Sequence, residues 1–272
     1  AKLPAAPGGL TPAGERDISR MNKTMERSTF LTIAHRGASA YAPENTFAAF
    51  ELDLQMGACH IELDVRVTAD GQAVVIHDET LDRTTSGAGP VAQRSLAELK
   101  EFDAGSWFDS RFASEQVPAF TEVLERYAKL AHLHTEIKSG QVGFCKHIID
   151  EIHQHGAEQR VTITAFELAH LVEVRRLAPN LSTGWLVRNI TEELIATAKR
   201  MGIDQLCPQA STVSPEIVRL LHNEGFTVRA WGVPSEAVMR AVVRSGADGM
   251  TVNFPDKLIH YLAMGEKGST PI

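Results

Sequence analysis

From residue 31 onward, short runs rich in β-branched residues alternate with longer amphipathic stretches. The short runs predict eight strands, at Leu31–His35, His60–Thr68, Leu133–Lys138, Val161–Phe166, Ser182–Val187, Asp204–Pro208, Thr227–Trp231 and Gly249–Asn253. The stretches between most of them predict helices, at Glu44–Met56, Val142–His155, Glu167–Leu177, Thr191–Met201, Pro215–Asn223, Ser235–Ser245 and Pro255–Ala263. In one of these stretches, Phe144, Ile148 and Ile152 recur at the spacing of a helix face.

This alternation predicts an α/β fold, specifically a TIM (β/α)8 barrel, because eight strands with intervening helices are the repeat of that architecture. A doubly wound open sheet is the alternative, since alternation alone does not distinguish a closed sheet from an open one. The chain contains no G-x-G-x-x-G sequence that would favour a dinucleotide-binding sheet.

One segment after the second predicted strand breaks the pattern. Asp70-Gly71 between two β-type runs is a strong hairpin signal, so Val74–His77 is expected to fold back antiparallel. A two-residue turn at that point predicts that His77 lies opposite Asp64. Residues 79–118 then lack helix–strand order and predict a small inserted subdomain, because so long a segment inside a barrel usually has a function or folds separately.

Composition is that of an ordinary globular protein: 272 residues, 43% hydrophobic and 22% charged. Residues 1–30 are rich in Pro, Gly and charge and predict a flexible leader, which leaves residues 31–272 for the barrel. The net charge of −7 argues against a nucleic-acid partner. No run reaches the roughly 18 apolar residues that span a bilayer, so no stable membrane insertion is expected. A homo-oligomer is left open.

The three cysteines, Cys59, Cys145 and Cys207, are far apart and form no C-x-x-C pair. A disulfide framework or a structural zinc site is therefore not expected. Their use as isolated apolar residues favours a reducing, cytoplasmic compartment. A periplasmic or secreted form from which a signal has been removed is the alternative.

Two carboxylates share one face of the second predicted strand, because Glu62 and Asp64 are two residues apart. Their apolar neighbours Leu63 and Val65 would pack against helices, which turns the acids toward the barrel interior. Buried acids are costly unless they are paired or bind a cation. With Glu136 on the next barrel strand they form an all-oxygen set, which suits one divalent cation, Mg²⁺ or Ca²⁺.

Further polar side chains stand at predicted carboxyl ends of strands, where barrel active sites form. His35 and His77 are candidates for a general base and a general acid near neutral pH. Arg36 and Lys138 would supply positive charge to a phosphoryl oxygen. Two proton-transfer groups, a hard cation and two fixed cations fit phosphodiester cleavage better than hydride, aldol or acyl chemistry.

Seven short motifs in order resemble the glycerophosphodiester phosphodiesterase family: His35-Arg36-Gly37, Pro43-Glu44-Asn45-Thr46, Glu62-x-Asp64-Val65, Thr68-x-Asp70-Gly71, His77-Asp78, Leu81-Asp82-Arg83-Thr84-Thr85 and Glu136-Ile137-Lys138. The resemblance covers residues 32 to about 260. It implies a TIM barrel with a small inserted subdomain and a metal-dependent hydrolase that releases sn-glycerol 3-phosphate and an alcohol.

The resemblance also implies roles for single residues. Glu62, Asp64 and Glu136 would bind the divalent metal, and His35 and His77 would be the acid–base pair. Arg36 and Lys138 would contact the phosphate of the substrate. Trp231 matches a family position that lines the substrate pocket, with a core aromatic as the alternative. Asn253 stands where the family often has Asp, a change expected to affect local capping more than activity.

The mechanistic hypothesis is attack of the glycerol 2-hydroxyl on phosphorus, with His35 as base and His77 as acid, through a cyclic phosphate. Direct attack by water is the competing route. Two other functions stay open at this point. One is a phospholipase D-type hydrolase acting on lysophospholipid or sphingomyelin, whose acyl entrance the insert aromatics Trp107, Phe108 and Phe112 would line. The other is a non-catalytic phosphate-binding barrel.

Overall fold

The computed structural model describes residues 30–138 and 143–265. Its strands are β1 (Leu31–His35), β2 (His60–Val67), β3 (Ala73–Val75), β4 (His132–Ile137), β5 (Val161–Ala165), β6 (Ser182–Val187), β7 (Gln205–Pro208), β8 (Thr227–Ala230) and β9 (Gly249–Val252). Every strand except β3 pairs in parallel with its two neighbours around the sheet, and β1 joins both β2 and β9. This closes an eight-stranded parallel barrel, which confirms the TIM barrel and excludes the open sheet.

Helices connect the strands, and all except the short helix Leu96–Leu99 contribute buried residues to the barrel core. They are α1 (Phe47–Met56), α2 (Leu96–Leu99), α3 (Phe120–Tyr127), α4 (Phe144–Gln154), α5 (Leu168–Leu177), α6 (Glu192–Arg200), α7 (Pro215–Asn223), α8 (Glu236–Ser245) and α9 (Pro255–Gly265). Polar caps begin several of them: the Ser235 hydroxyl, for example, accepts from the Val238 N–H at the start of α8. Among the described residues no helix combines the length and apolar character needed to cross a membrane.

The hairpin between β2 and β3 forms, but its register differs from the prediction by one residue. Val65 pairs with Val75, and the Ile76 N–H donates to the Asp64 carbonyl at 3.0 Å. Ile76, not His77, therefore lies opposite Asp64.

The turn explains the difference in register. The Thr68 N–H donates to the Gln72 carbonyl at 3.0 Å, so three residues rather than two form the connection. Gly71 takes a left-handed φ of 81°, as the last residue of a three-residue hairpin loop commonly does. The Asp-Gly signal located the turn correctly but did not reveal its length.

Residues 79–118 contain α2 and two short 3₁₀ helices, at Val91–Gln93 and Ser110–Phe112. Their apolar side chains form a small cluster with two β3-region residues, separate from the barrel core; its members are Val74, Ile76, Leu81, Val91, Leu99, Ala104 and Val117. The division of the chain into leader, barrel and inserted subdomain stays a prediction. The leader, predicted at residues 1–30, lies outside the described residues apart from Phe30.

Strand alternation separates the two faces of the barrel wall. On β2, Ile61, Leu63 and Val65 are fully buried in the core under the helices. Glu62 and Asp64 occupy the alternate positions of the same strand and are also buried, at 3% and 0% exposure. The interior face of β2 therefore carries two carboxylates. Groups that interact with them are expected at the carboxyl ends of the strands, where barrel active sites form.

A tight backbone approach fixes the segment that leaves β1. Gly37 has a φ of 79°, and a Cβ added to it would come within 2.7 Å of the Ala49 backbone carbon at the start of α1. Gly37 therefore allows the β1 loop to pack directly on the helix that follows it.

We expect Gly37→Ala to destabilise the protein by about 2 kcal/mol more than Gly71→Ala. Both substitutions carry the ~1–2 kcal/mol penalty of a left-handed L-residue, but the Gly71 Cβ would meet nothing within 4 Å. Crowding at Gly37 adds a cost of roughly 1–3 kcal/mol. Urea unfolding of both variants measures the difference, and equal losses would contradict the crowding.

Candidate active site

Three carboxylates meet inside the barrel near the carboxyl ends of adjacent strands. Glu62 and Asp64 come from β2 and Glu136 from β4, and the parallel register places Asp64 beside Glu136. One oxygen of each lies within 4.8 Å of the others, and all three residues are buried. The structure thus brings together the three residues that the sequence predicted as metal ligands.

Two cations adjoin this acidic cluster. The Lys138 ammonium lies 2.7 Å from Glu136 Oε1 and 3.3 Å from Asp64 Oδ1. Arg36 Nε lies 3.1 Å from Asp64 Oδ2. The predicted phosphate-binding residues are therefore beside the carboxylates and only slightly exposed, at 15% for Arg36 and 13% for Lys138.

Burial and charge act in opposite directions on the three carboxylates. Burial alone would raise the pKa of Asp64, but the adjacent Arg36 and Lys138 charges outweigh it and hold that pKa below its usual range. Burial, together with the Asp64 charge, raises the pKa of Glu62 and of Glu136. A cluster that repels its own negative charge in this way favours binding of a further cation.

The backbone around Arg36 and Asn45 is held in an uncommon conformation. Both residues have positive φ, 57° and 58°, and the Asn45 N–H donates to the Arg36 carbonyl at 3.0 Å. The Arg36 N–H in turn donates to Glu62 Oε2, at 3.0 Å. Such conformations cost free energy and persist where surrounding contacts impose them, often in active sites.

Asn45 connects this loop to the acidic cluster. Its Nδ2 donates to Asp64 Oδ2 at 2.8 Å, and its Oδ1 accepts from the Asp64 N–H at 3.3 Å. Asp64 is fully buried and does not line the cavity above it. Asn45 therefore orients a carboxylate that has no access to solvent.

The two histidines are oriented by different partners. His35 Nδ1 lies 2.7 Å from Asn253 Oδ1, and its Nε2 lies 4.0 Å from Glu62 Oε2. His77 Nδ1 lies 2.6 Å from Asp78 Oδ1. In both rings the Nδ1 edge is engaged, which leaves the Nε2 atom for other contacts.

The pKa values of both histidines are lowered. Burial, together with the adjacent Arg36 charge, lowers the pKa of His35 to about 4. Burial also lowers the pKa of His77, although Asp64 and Asp78 oppose the effect. The neutral form of His35, which has one lone pair for accepting a proton, is therefore favoured.

An ion-pair network links the insert to this site. Arg83 donates to Asp78 through Nε at 2.6 Å and to Glu44 through both terminal nitrogens, at 2.8 and 2.9 Å. Glu44 also accepts from Arg36 Nη1 at 2.7 Å. One guanidinium therefore supports the partners of both Arg36 and His77.

Most of these side chains border one cavity of about 230 Å³. Its lining comprises His35, Arg36, Glu62, His77, Glu136, Lys138, Thr164, Phe166, Leu186, Arg229, Trp231, Gly232 and Thr251. Trp231 is thus beside the other predicted site residues rather than in the core, and its ring meets Phe166 edge-on at a centroid distance of 5.0 Å.

Sequence reasoning did not assign roles to several residues at this site. Four of them lie inside the motifs that carry the family resemblance, and this position was the only sequence signal for a role in the site: Glu44, Asn45, Asp78 and Arg83. Asn253 was associated with capping, whereas the structure places its carboxamide against His35. Glu44, Asn45, Arg83 and Asn253 act through long-range contacts that no local spacing encodes, whereas Asp78 contacts its neighbour His77 and nearby Arg83.

Comparisons with known proteins agree on one family. The protein-family model described as "Glycerophosphoryl diester phosphodiesterase family" matches residues 35–257 of this chain. A glycerophosphodiester phosphodiesterase of Caldanaerobacter subterraneus subsp. tengcongensis is 39% identical over 239 residues, covering 86% of this chain and 98% of that one. One from Bacillus subtilis is 34% identical, covering 86% and 87%.

A solved structure shares the fold. It is a phosphodiesterase of Oleispira antarctica in complex with the product sn-glycerol-3-phosphate. Its TM-score is 0.82 at 28% identity, and the match covers 86% of this chain and 96% of the other.

We expect Glu136→Gln to weaken binding of Mg²⁺ and Ca²⁺ by at least about tenfold, because carboxylate charge sets the affinity of such oxygen sites. Glu193→Gln, at an exposed position at the start of α6, is the matched control. Isothermal titration of the metal-free proteins measures the affinities. Equal affinities in wild type and Glu136→Gln would remove Glu136 from the ligand set.

Proposed function

The chain belongs to the glycerophosphoryl diester phosphodiesterase family, and on that basis we propose that it hydrolyses glycerophosphodiesters to sn-glycerol 3-phosphate and an alcohol. The observation that carries this proposal is the convergence of two histidines, an arginine, a lysine, Glu62 and Glu136 around one small cavity, with the Asp64 carboxylate buried beside them. The names of the curated relatives and the product bound to the Oleispira antarctica neighbour support the same substrate class.

A divalent cation fits the acidic cluster. Glu62, Asp64 and Glu136 offer only oxygen, at mutual distances below 4.8 Å, which is the donor chemistry of Mg²⁺ or Ca²⁺ and not of zinc. When bound, such a cation supplies a Lewis acid for phosphoryl oxygens and lowers the proton affinity of a nearby hydroxyl. The protein's own part is to hold the three carboxylates together and to exclude bulk water from them.

His35 and His77 provide proton transfer in this proposal. Each ring is anchored through Nδ1, so each can use Nε2 toward a substrate in the cavity. His35 takes the proton of the glycerol 2-hydroxyl as that oxygen attacks phosphorus, and His77 donates a proton to the departing alcohol. Water then opens the cyclic phosphate with the two roles reversed.

Arg36 and Lys138 stabilise the phosphoryl oxygens. Arg36 donates a hydrogen bond from Nη1 to Glu44 and forms an ion pair through Nε with Asp64, and its Nη2 makes no hydrogen bond within the part of the chain that the structure describes. That nitrogen is available to an anionic oxygen of the substrate. Lys138 lies beside Glu136 and adds a second charge at the same end of the cavity.

The phospholipase D-type alternative is not favoured. It needs an apolar entrance for an acyl chain, and the insert aromatics proposed for it pack on one another instead. Phe108 meets Trp107 and Phe112 edge-on at centroid distances of 5.6 and 5.8 Å. None of the three is among the described residues that line the cavity.

We expect the protein to release glycerol 3-phosphate from glycerophosphocholine in the presence of Mg²⁺ or Ca²⁺, and much more slowly from lysophosphatidylcholine. Coupled detection of glycerol 3-phosphate and of choline follows both products, and chelation with EDTA should stop the reaction until metal is restored. Faster cleavage of lysophosphatidylcholine would replace the proposal with the lipid-directed activity.

We expect His77→Ala to lower kcat by roughly 10²–10⁴-fold, the usual contribution of a general acid or base. The matched control is His153→Ala, an exposed histidine on α4. Steady-state kinetics with glycerophosphocholine measure both variants. A kcat for His77→Ala close to that of the control would take His77 out of the reaction.

A further inference from the structure

We propose that Asn253 is a positioning residue for His35: its carboxamide oxygen holds His35 in the Nδ1–H tautomer, so that the lone pair of Nε2 faces the cavity. The inference rests on the proposed function for the role of His35, and it adds the residue that sets which imidazole nitrogen accepts the proton.

The barrel itself brings the two residues together. Asn253 directly follows β9, and β9 pairs in parallel with β1 so that Val252 lies beside Ala34. The next residue on each strand is therefore Asn253 and His35. The Asn253 carbonyl also accepts from the Ala40 N–H at 2.9 Å, which ties its backbone to the loop that follows β1.

The contact has a defined chemical direction. The atom that faces His35 Nδ1, at 2.7 Å, is the amide oxygen, which can only accept a hydrogen bond. Nδ1 must therefore carry the hydrogen, and in a neutral imidazole the lone pair then resides on Nε2. That atom is the one on the Glu62 side of the ring.

Comparison with His77 shows how an amide partner differs from a carboxylate partner in its effect on a histidine. His77 is oriented by the Asp78 carboxylate, which Arg83 holds in turn. A carboxylate and an amide oxygen both accept from Nδ1, but only the carboxylate adds a negative charge that stabilises imidazolium. Asn253 therefore sets the tautomer of His35 without adding charge beside the acidic cluster.

Substitutions that keep the size of Asn253 separate the acceptor from packing. Asn253→Leu removes the acceptor, and Asn253→Asp retains an oxygen at the same place. Loss of a hydrogen-bonding partner that orients a metal ligand typically costs 10–100-fold in metal affinity or activity, and we expect the same order for the partner of His35. We expect Asn253→Leu to lower kcat with glycerophosphocholine by roughly that factor while KM stays similar, and Asn253→Asp to recover most of the loss.

The control is Asn223→Leu, an exposed asparagine at the end of α7, far along the chain from either histidine. It should match wild type in kcat. Either an unchanged kcat in Asn253→Leu or an equal loss in Asn253→Asp would overturn the positioning role, because the acceptor oxygen would then not be what matters.

A measurement without substrate tests the tautomer directly. In ¹⁵N-histidine-labelled protein, two-bond correlations distinguish Nδ1–H from Nε2–H, and comparison with His35→Gln assigns the His35 ring. We expect Nδ1–H in wild type and in Asn253→Asp, and a shift toward Nε2–H in Asn253→Leu. An Nε2–H ring in wild type, or no shift in Asn253→Leu, would overturn the proposal. Failure to cleave glycerophosphocholine would instead overturn the proposed function and leave the tautomer result standing.

Discussion

The organisation of this site follows from one electrostatic constraint, the burial of three carboxylates inside the barrel. Asp64 has no exposure to solvent, so its charge requires compensation from within the protein. Arg36, Lys138 and the Asn45 carboxamide supply it through contacts of 2.8 to 3.3 Å. With Asp64 kept ionised in this way, Glu62 and Glu136 face a fixed negative charge, which explains why the cluster suits a divalent cation.

The same constraint accounts for the strained backbone after β1. Arg36 contacts Asp64 through its side chain and Glu62 through its own N–H, and both Arg36 and Asn45 adopt positive φ in this turn. Gly37 completes the turn by permitting contact with the Ala49 backbone. Such backbone conformations persist where surrounding contacts impose them, and the ion pair and hydrogen bonds of the buried Asp64 carboxylate are contacts of that kind.

The site also divides into parts of different origin. The barrel strands place the carboxylates and His35, whereas His77, Asp78 and Arg83 belong to the segment that follows β3. Arg83 joins the two parts because its guanidinium reaches Glu44 on the β1 side and Asp78 on the other. The geometry between the histidines therefore depends on a bidentate ion-pair network as well as on the rigid barrel.

Local pattern was sufficient to predict the barrel strands and most of the helices, because amphipathic spacing reports which side of an element is buried; the helices at Leu96–Leu99 and Phe120–Tyr127 were not predicted. The stretch predicted as a helix at Val142–His155, for example, is helical at Phe144–Gln154. The motifs likewise indicated the carboxylates, both histidines and the two cations as candidates, because all of them occur in order along one chain.

Other features were decided only by the tertiary structure. Closure of the sheet depends on the pairing of β1 with β9, whose residues are more than two hundred positions apart in the chain. The same pairing brings Asn253 to His35. The β2–β3 register depended on how Thr68 and Gln72 close the turn. Contacts of this kind arise from how the elements pack against one another, and no spacing along the chain records that arrangement.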